Sequence, residues 1–115
     1  MTRLDIHVGG SFADTKRRVL DAVTRSQNGE TVGEDHVTFE TWEALAAVMT
    51  TKRFELVRHL HRQPEASIAA LARSLKRDYK RVHEDVDALA AAGLIDRSGD
   101  GLRAEYNEIH TRIAM

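Results

Sequence analysis

Apolar positions along this chain switch between a period of two and a period near three and a half, and the switches predict its elements. Polar and apolar side chains alternate from Arg3 to Val8, with Leu4, Ile6 and Val8 on one face. That spacing predicts a half-buried strand, ended by Gly9-Gly10. Ser11 can cap a helix through about Ser26, with Phe12, Val19, Leu20 and Val23 on one side. Its polar side holds Lys16, Arg17 and Arg18, read as a solvated face, with a phosphate or partner contact as the alternative. Asn28 to Asp35 is a polar, glycine-punctuated loop. Alternation returns at His36 to Glu40, with Val37 and Phe39 inward, and predicts a second short strand.

The middle of the chain changes to helical spacing. Thr41 suits the cap of a helix from Trp42 to Met49, and Thr50-Thr51 interrupts it and caps the next, Lys52 to Arg62. The apolar side of that second helix is Phe54, Val57 and Leu60, with Leu56 beside it. Trp42 and Phe54 are read as core aromatics. Gln63-Pro64 ends the helix, because proline cannot continue it and restrains the residue before it.

Ser67 to Leu102 is the segment around which the rest is organised. Ser67 caps a short helix with Ile68, Leu71, Ala72 and Leu75 on one face. Lys76-Arg77-Asp78 is a turn, and Asp78 can cap the helix Tyr79 to Ala92, whose buried row is Val82, Val86, Leu89 and Ala90. Gly93 takes the left-handed stop position. Leu94-Ile95 begins a strand, Ser98-Gly99-Asp100-Gly101 supplies a turn, and Leu102 to Glu105 returns. Ile109, Thr111 and Ile113 then alternate with polar residues in a terminal strand, and both chain ends are expected to pair in sheet, within one chain or between subunits.

The order is helix, turn, helix, wing, in which the second helix enters a DNA groove. The fold class is therefore read as α+β: a winged helix-turn-helix with an N-terminal strand-helix-strand extension. Residues 1–40 form the extension, a candidate dimer or partner-binding part. Residues 41–115 form the DNA-binding part, the whole making one compact unit.

Charge sharpens this picture. The 115 residues carry a net charge of −1, which argues against a general nucleic-acid coat protein. Its distribution is uneven. Residues 1–51 balance at −3, residues 52–81 hold nine Lys/Arg against three Asp/Glu, and residues 82–115 balance at −4. One positive segment between two negative ones fits a localised phosphate-facing surface. Aromatics are only 5% and much of the apolar share is alanine, so the core is thin and a homodimer is expected to complete it. The chain has no cysteine, which excludes disulfides and thiolate metal sites. No signal peptide or membrane-length apolar run is present, so a cytoplasmic protein that binds no membrane is expected.

Reading DNA requires donors at phosphates and side chains that reach base edges from an exposed helix start. Arg81 and Tyr79 are the candidates for base or sugar contact, and Lys76, Arg77 and Lys80 for phosphates, with Arg73 and His83 on neighbouring outer faces. Arg77 could instead hold a carboxylate and fix the turn. Arg97 and Arg103 flank the wing tip, where they touch DNA backbone or minor groove, or form inert surface. Glu84, Asp85 and Asp87 make the far end of the helix acidic, which tips the groove contact toward its first turns.

From Phe39 to Ile95 the chain resembles the winged-helix regulators of the MarR/ArsR-like superfamily. More closely, it is similar to small DNA-binding proteins of bacteria and archaea that share a characteristic string. In this chain the string is Leu71-Ala72-Arg73, Leu75, Arg77-Asp78-Tyr79-Lys80, Val82-His83, Asp85-Val86, Leu89 and Gly93-Leu94-Ile95. The resemblance implies a transcriptional regulator, and, since some such proteins lie beside toxin genes, an antitoxin role is a second implication. Thr51 stands where that pattern often has proline; threonine still permits a helix start.

The function expected is a sequence-specific double-stranded DNA-binding repressor acting as a homodimer on a palindromic operator. The alternative is an antitoxin that neutralises a protein toxin through its N-terminal strand-helix region and autoregulates its operon; the acidic residues at Glu84 to Asp87 and Thr41 to Glu43 are a candidate protein-facing patch. No cofactor, metal or catalysis is expected. His59 and His61 are two apart and so on different helix faces, and His83 with Asp87 is a common surface pairing. Ser67 and Ser74 read as a cap and an exposed helix residue, and no catalytic constellation stands out.

Overall fold

The computed structural model of the chain describes residues 3–10 and 34–115. The helix expected from Ser11 to Ser26 and most of the loop from Asn28 to Asp35 lie outside the described residues. In chain order the described elements are β1 (Arg3–Val8), β2 (Glu34–Phe39), α1 (Trp42–Val48), α2 (Thr51–Arg62), α3 (Ile68–Leu75), α4 (Tyr79–Ala91), β3 (Asp96–Ser98), β4 (Gly101–Arg103) and β5 (Glu108–Ile113). The protein is α+β. It divides into two units, Met1–Leu45 with Tyr106–Met115, and Ala46–Glu105. The terminal strand thus joins the first unit, whereas the sequence division at residue 40 leaves it with the helices.

The first unit is built on a three-stranded sheet in the order β2-β1-β5, with both pairings parallel. A parallel pair needs a crossover of a dozen or more residues, and the chain between Val8 and Glu34 supplies that length. Being central, β1 is buried on both faces, which corrects the half-buried expectation. Leu4, Ile6 and Val8 fill one face, and Asp5 and His7, 2% and 5% exposed, lie on the other. Burying such groups costs free energy unless they are paired. Arg3 Nε lies 3.1 Å from Asp5 Oδ1, and His7 stacks on His36 with their Nε2 and Nδ1 atoms 3.0 Å apart. Gly9 and Gly10 end the strand at φ +76° and +92°, where a side chain would be strained.

In the second unit each helix start carries the cap its sequence promises. Thr50 Oγ1 accepts from Arg53 N at 3.3 Å, Ser67 Oγ from Ala70 N at 3.1 Å, and Asp78 Oδ2 from Arg81 N at 3.1 Å. Leu56, Val57 and Leu60 of α2, Leu71 and Ala72 of α3, and Val82, Val86 and Leu89 of α4 are buried. Each fully buried leucine contributes about 1.5–3 kcal/mol through the apolar surface it removes from water. Phe54 departs from expectation at 41% exposed; the buried stripe runs through Leu56 instead, and the Phe54 ring lies beside the Arg58 guanidinium. Trp42, in α1, is likewise exposed (53%) rather than core.

After Gly93, at φ +81°, Leu94 and Ile95 are buried and the strand begins at Asp96, two residues later than expected. β3 and β4 form an antiparallel hairpin with Gly99-Asp100 at its tip. Glu65, between α2 and α3, joins that hairpin as a one-residue bridge. Its N–H donates to Leu102 O at 3.1 Å and its C=O accepts from Leu102 N at 2.8 Å. The close approach requires Gly101, whose φ is +124° and where any Cβ would collide with the Glu65 carbonyl.

Candidate nucleic-acid interface

α3, the turn and α4 position the basic residues. α3 ends in a left-handed Lys76 at φ +56°, and Arg77 N–H donates back to Ala72 O at 3.0 Å. Lys76 N–H donates to Arg73 O at 3.2 Å, so both bonds to α3 carbonyls form although the left-handed residue is lysine rather than glycine. The chain then reverses into Asp78, which caps α4. Helix α4 buries Val82, Val86 and Leu89, so Tyr79, Lys80, Arg81 and Glu84 are left exposed. Arg73 on α3 and Lys76 in the turn are exposed as well. Five of the nine candidates thus lie on the open side of one short segment.

The remaining four are engaged. Arg77 turns inward, donating from Nη2 to Asp85 Oδ2 at 2.8 Å, with both side chains at most one-fifth exposed. Arg53 donates from Nε to Asp85 Oδ1 at 3.0 Å, and its Nη1 reaches the carbonyls of Ala47 and Val48 at 3.2 and 3.1 Å. Asp85 is therefore a hub between two guanidinium groups. Its place on the inner stripe, three residues after Val82 and four before Leu89, is the sequence signal that could have separated it from the exposed acidic residues. Arg77 Nη1 is buried without a hydrogen-bond partner. Arg77 holds the turn and is not offered to solvent.

Asp87 gathers two of the other three. Arg97 on β3 donates to its Oδ1 at 2.6 Å, and His83 Nδ1 lies 3.0 Å from its Oδ2. The Arg97 hydrogen bond, helped by the His83 charge, holds the Asp87 carboxyl below its usual range although partial desolvation pushes the other way. His83 also contacts the Tyr79 ring at 5.8 Å between centroids. Arg103 reaches Glu105 at 3.4 Å, an exposed contact that water weakens.

Below this surface the Glu65 carboxylate is 8% exposed. Burial would raise its pKa, but hydrogen bonds from Ser74, His59 and Gln63 outweigh burial and hold it below the ordinary value of 4.5. His59 Nε2 lies 3.2 Å from Oε2, and Gln63 Nε2 donates to Oε1 at 3.3 Å. Ser74, expected to be a plain exposed helix residue, thus shares in this network. His61 Nδ1 lies 3.0 Å from Ala104 O. Among the described residues no group of three or more His, Cys, Asp or Glu side chains is arranged to hold a metal ion. No helix among them is long and apolar enough to cross a membrane.

These features define a small α+β protein whose helical unit presents one basic helix start. The model of the HVO_A0114 family matches residues 48–111, more than half of the chain, and the chain belongs to that family. No curated protein and no solved structure matches it.

Proposed function

We propose that residues 46–105 are a winged helix-turn-helix and that the protein is a sequence-specific double-stranded DNA-binding regulator. The observation that carries this reading is the first turn of α4. There Tyr79, Lys80 and Arg81 are exposed together, while Val82 and Val86 are buried and Asp85 is tied to Arg53 and Arg77. Arg81 suits bidentate recognition of guanine in a major groove; Lys80, Lys76 and Arg73 suit phosphates on either side. Tyr79, 52% exposed, adds a sugar or base contact. Arg97 and Arg103 reach the DNA from the wing only by leaving Asp87 and Glu105, so they contribute less. The resemblance of Phe39 to Ile95 to MarR/ArsR-like regulators, and of the Leu71 to Ile95 string to small DNA-binding proteins of bacteria and archaea, supports the same reading. The protein acts in the cytoplasm as a repressor, a homodimer on a palindrome with half-sites about 34 Å apart or a multiple of that spacing. It needs no catalytic step and no cofactor.

The test uses a duplex enriched by the protein from a random-sequence pool. Arg81→Ala costs roughly 1–3 kcal/mol of affinity for that duplex and leaves thermal unfolding unchanged. Wild-type affinity in Arg81→Ala overturns the assignment of α4 as the reading helix.

A second reading has its own observation, the half-exposed Trp42. A free indole on a small protein favours a protein contact, as an antitoxin that neutralises a protein toxin would use. Co-purification with a neighbouring gene product, abolished by Trp42→Ala, supports it; capture that survives Trp42→Ala removes the indole from it.

A further inference from the structure

We infer that β5 is the seam of a homodimer, in which two copies join edge to edge into one six-stranded sheet. This rests on the two-fold dimer proposed above and names its interface. All-parallel sheets are normally covered on both faces and extend over more strands than three. β5 departs from that pattern. Among the described residues it lies at the edge of the sheet, and Glu108, His110, Thr111, Arg112 and Ile113 are all exposed.

The edge, open among the described residues, has a definite hydrogen-bond phase. Ala114 N–H donates to Val8 O at 2.9 Å, so the even-numbered amides of this segment point at β1. By alternation, the N–H and C=O groups of Ile109, Thr111 and Ile113 point away from the sheet. In an antiparallel two-fold pairing, outward residues must face outward residues. Centring the two-fold on His110 does this. Ile109 then exchanges both backbone hydrogen bonds with Thr111 of the second copy, and Thr111 with Ile109.

The same register sets the side chains. His110 meets its own mate, and Glu108 faces Arg112 in the non-hydrogen-bonded pairs, where side chains come closest. Within the chain Glu108 Oε2 lies 2.8 Å from His110 Nε2, while Arg112 makes no ion pair among the described residues. Each Arg112 thus completes the Glu108–His110 pair of the other copy. Shifting the centre one residue toward the C-terminus puts Arg112 opposite His110, and shifting it again puts Arg112 opposite Arg112. Shifting it one residue the other way pairs Glu108 with His110 but leaves Arg112 opposite Tyr106, so only the register on His110 pairs Glu108 with Arg112. Edge charges commonly deter sheet growth; here their spacing is self-complementary, which deters other strands and accepts this one.

Sedimentation velocity on the full-length protein tests the seam. Wild type is a dimer at micromolar concentration. Arg112→Glu places like charges opposite each other twice per interface and weakens the dimer at least about tenfold. The exchange Glu108→Arg with Arg112→Glu restores it. Thr111→Pro removes an outward amide without touching the β1 pairing and gives a monomer with unchanged circular dichroism. A dimer unaffected by Arg112→Glu and by Thr111→Pro overturns the seam and leaves the two-fold DNA reading standing. A monomeric wild type overturns the seam and the palindrome together. A monomeric Arg112→Glu that still protects a single half-site separates the seam from the reading helix.

Discussion

The two units solve the same problem, burying charge beside apolar surface, by opposite means. In the parallel-sheet unit Asp5 and His7 are enclosed on the central strand, and the chain sections around them come from distant points in the sequence: β1, β2 and β5 begin at residues 3, 34 and 108. In the helical unit the carboxylates that matter, Glu65, Asp85 and Asp87, are met mostly by residues within one or two elements. The first arrangement follows from topology. The second follows from helix phase and caps. The comparison teaches that the helical unit keeps its charged side chains in two classes, those that hold the fold and those left exposed, and α4 carries both.

Variants that act on that division should differ in size. The largest effect falls on the hairpin anchor. Gly101→Ala forces a Cβ against the Glu65 carbonyl at a positive φ and costs about 2–4 kcal/mol. Urea unfolding reads it directly; wild-type stability would mean that the hairpin is not fixed to the Glu65 segment.

Next comes the hub. Asp85→Ala leaves Arg53 and Arg77 without their carboxylate in a part-buried site and costs about 2–3 kcal/mol. Asp87→Ala, a loss of exposed contacts, should leave the unfolding midpoint in high salt unchanged. If the two variants behave alike, the separation of structural from exposed carboxylates on α4 fails.

A smaller effect is expected with pH. The Glu65 carboxyl is depressed in the folded state, so its contribution is fully present above the ordinary glutamate value of 4.5 and is lost as pH falls through the folded value. Glu65→Gln should flatten the acid limb of stability below that pH and cost about 1 kcal/mol near neutrality through weaker hydrogen bonds from His59, Gln63 and Ser74. Parallel acid limbs in wild type and variant would assign the acid sensitivity to other carboxylates.

How much of this the sequence shows depends on the range of each interaction. Thr50, Ser67 and Asp78 bond amides three residues on, so their caps can be read locally, and so can the stop at Gly93 and the hairpin turn. The β1, β2 and β5 strands are visible as alternation, but alternation carries no partner, so the parallel order and the burial of Asp5 and His7 are not. Trp42 and Phe54 mislead because aromatic residues at helical spacing usually face a core. At the candidate interface the basic cluster from Arg73 to Arg81 is plain from charge alone. What charge cannot show is that Arg77 is committed to Asp85 and Arg97 to Asp87, since those pairs are eight and ten residues apart and depend on the turn and the β3–β4 hairpin.

The salt dependence of binding to the duplex enriched from a random-sequence pool tests the central claim, that the start of α4 meets DNA. Affinity should fall steeply and log-linearly with salt, and Lys80→Ala should reduce the slope by about 1 while weakening binding to all sequences alike. Failure to enrich any duplex, or an identical slope in wild type and Lys80→Ala, would contradict it.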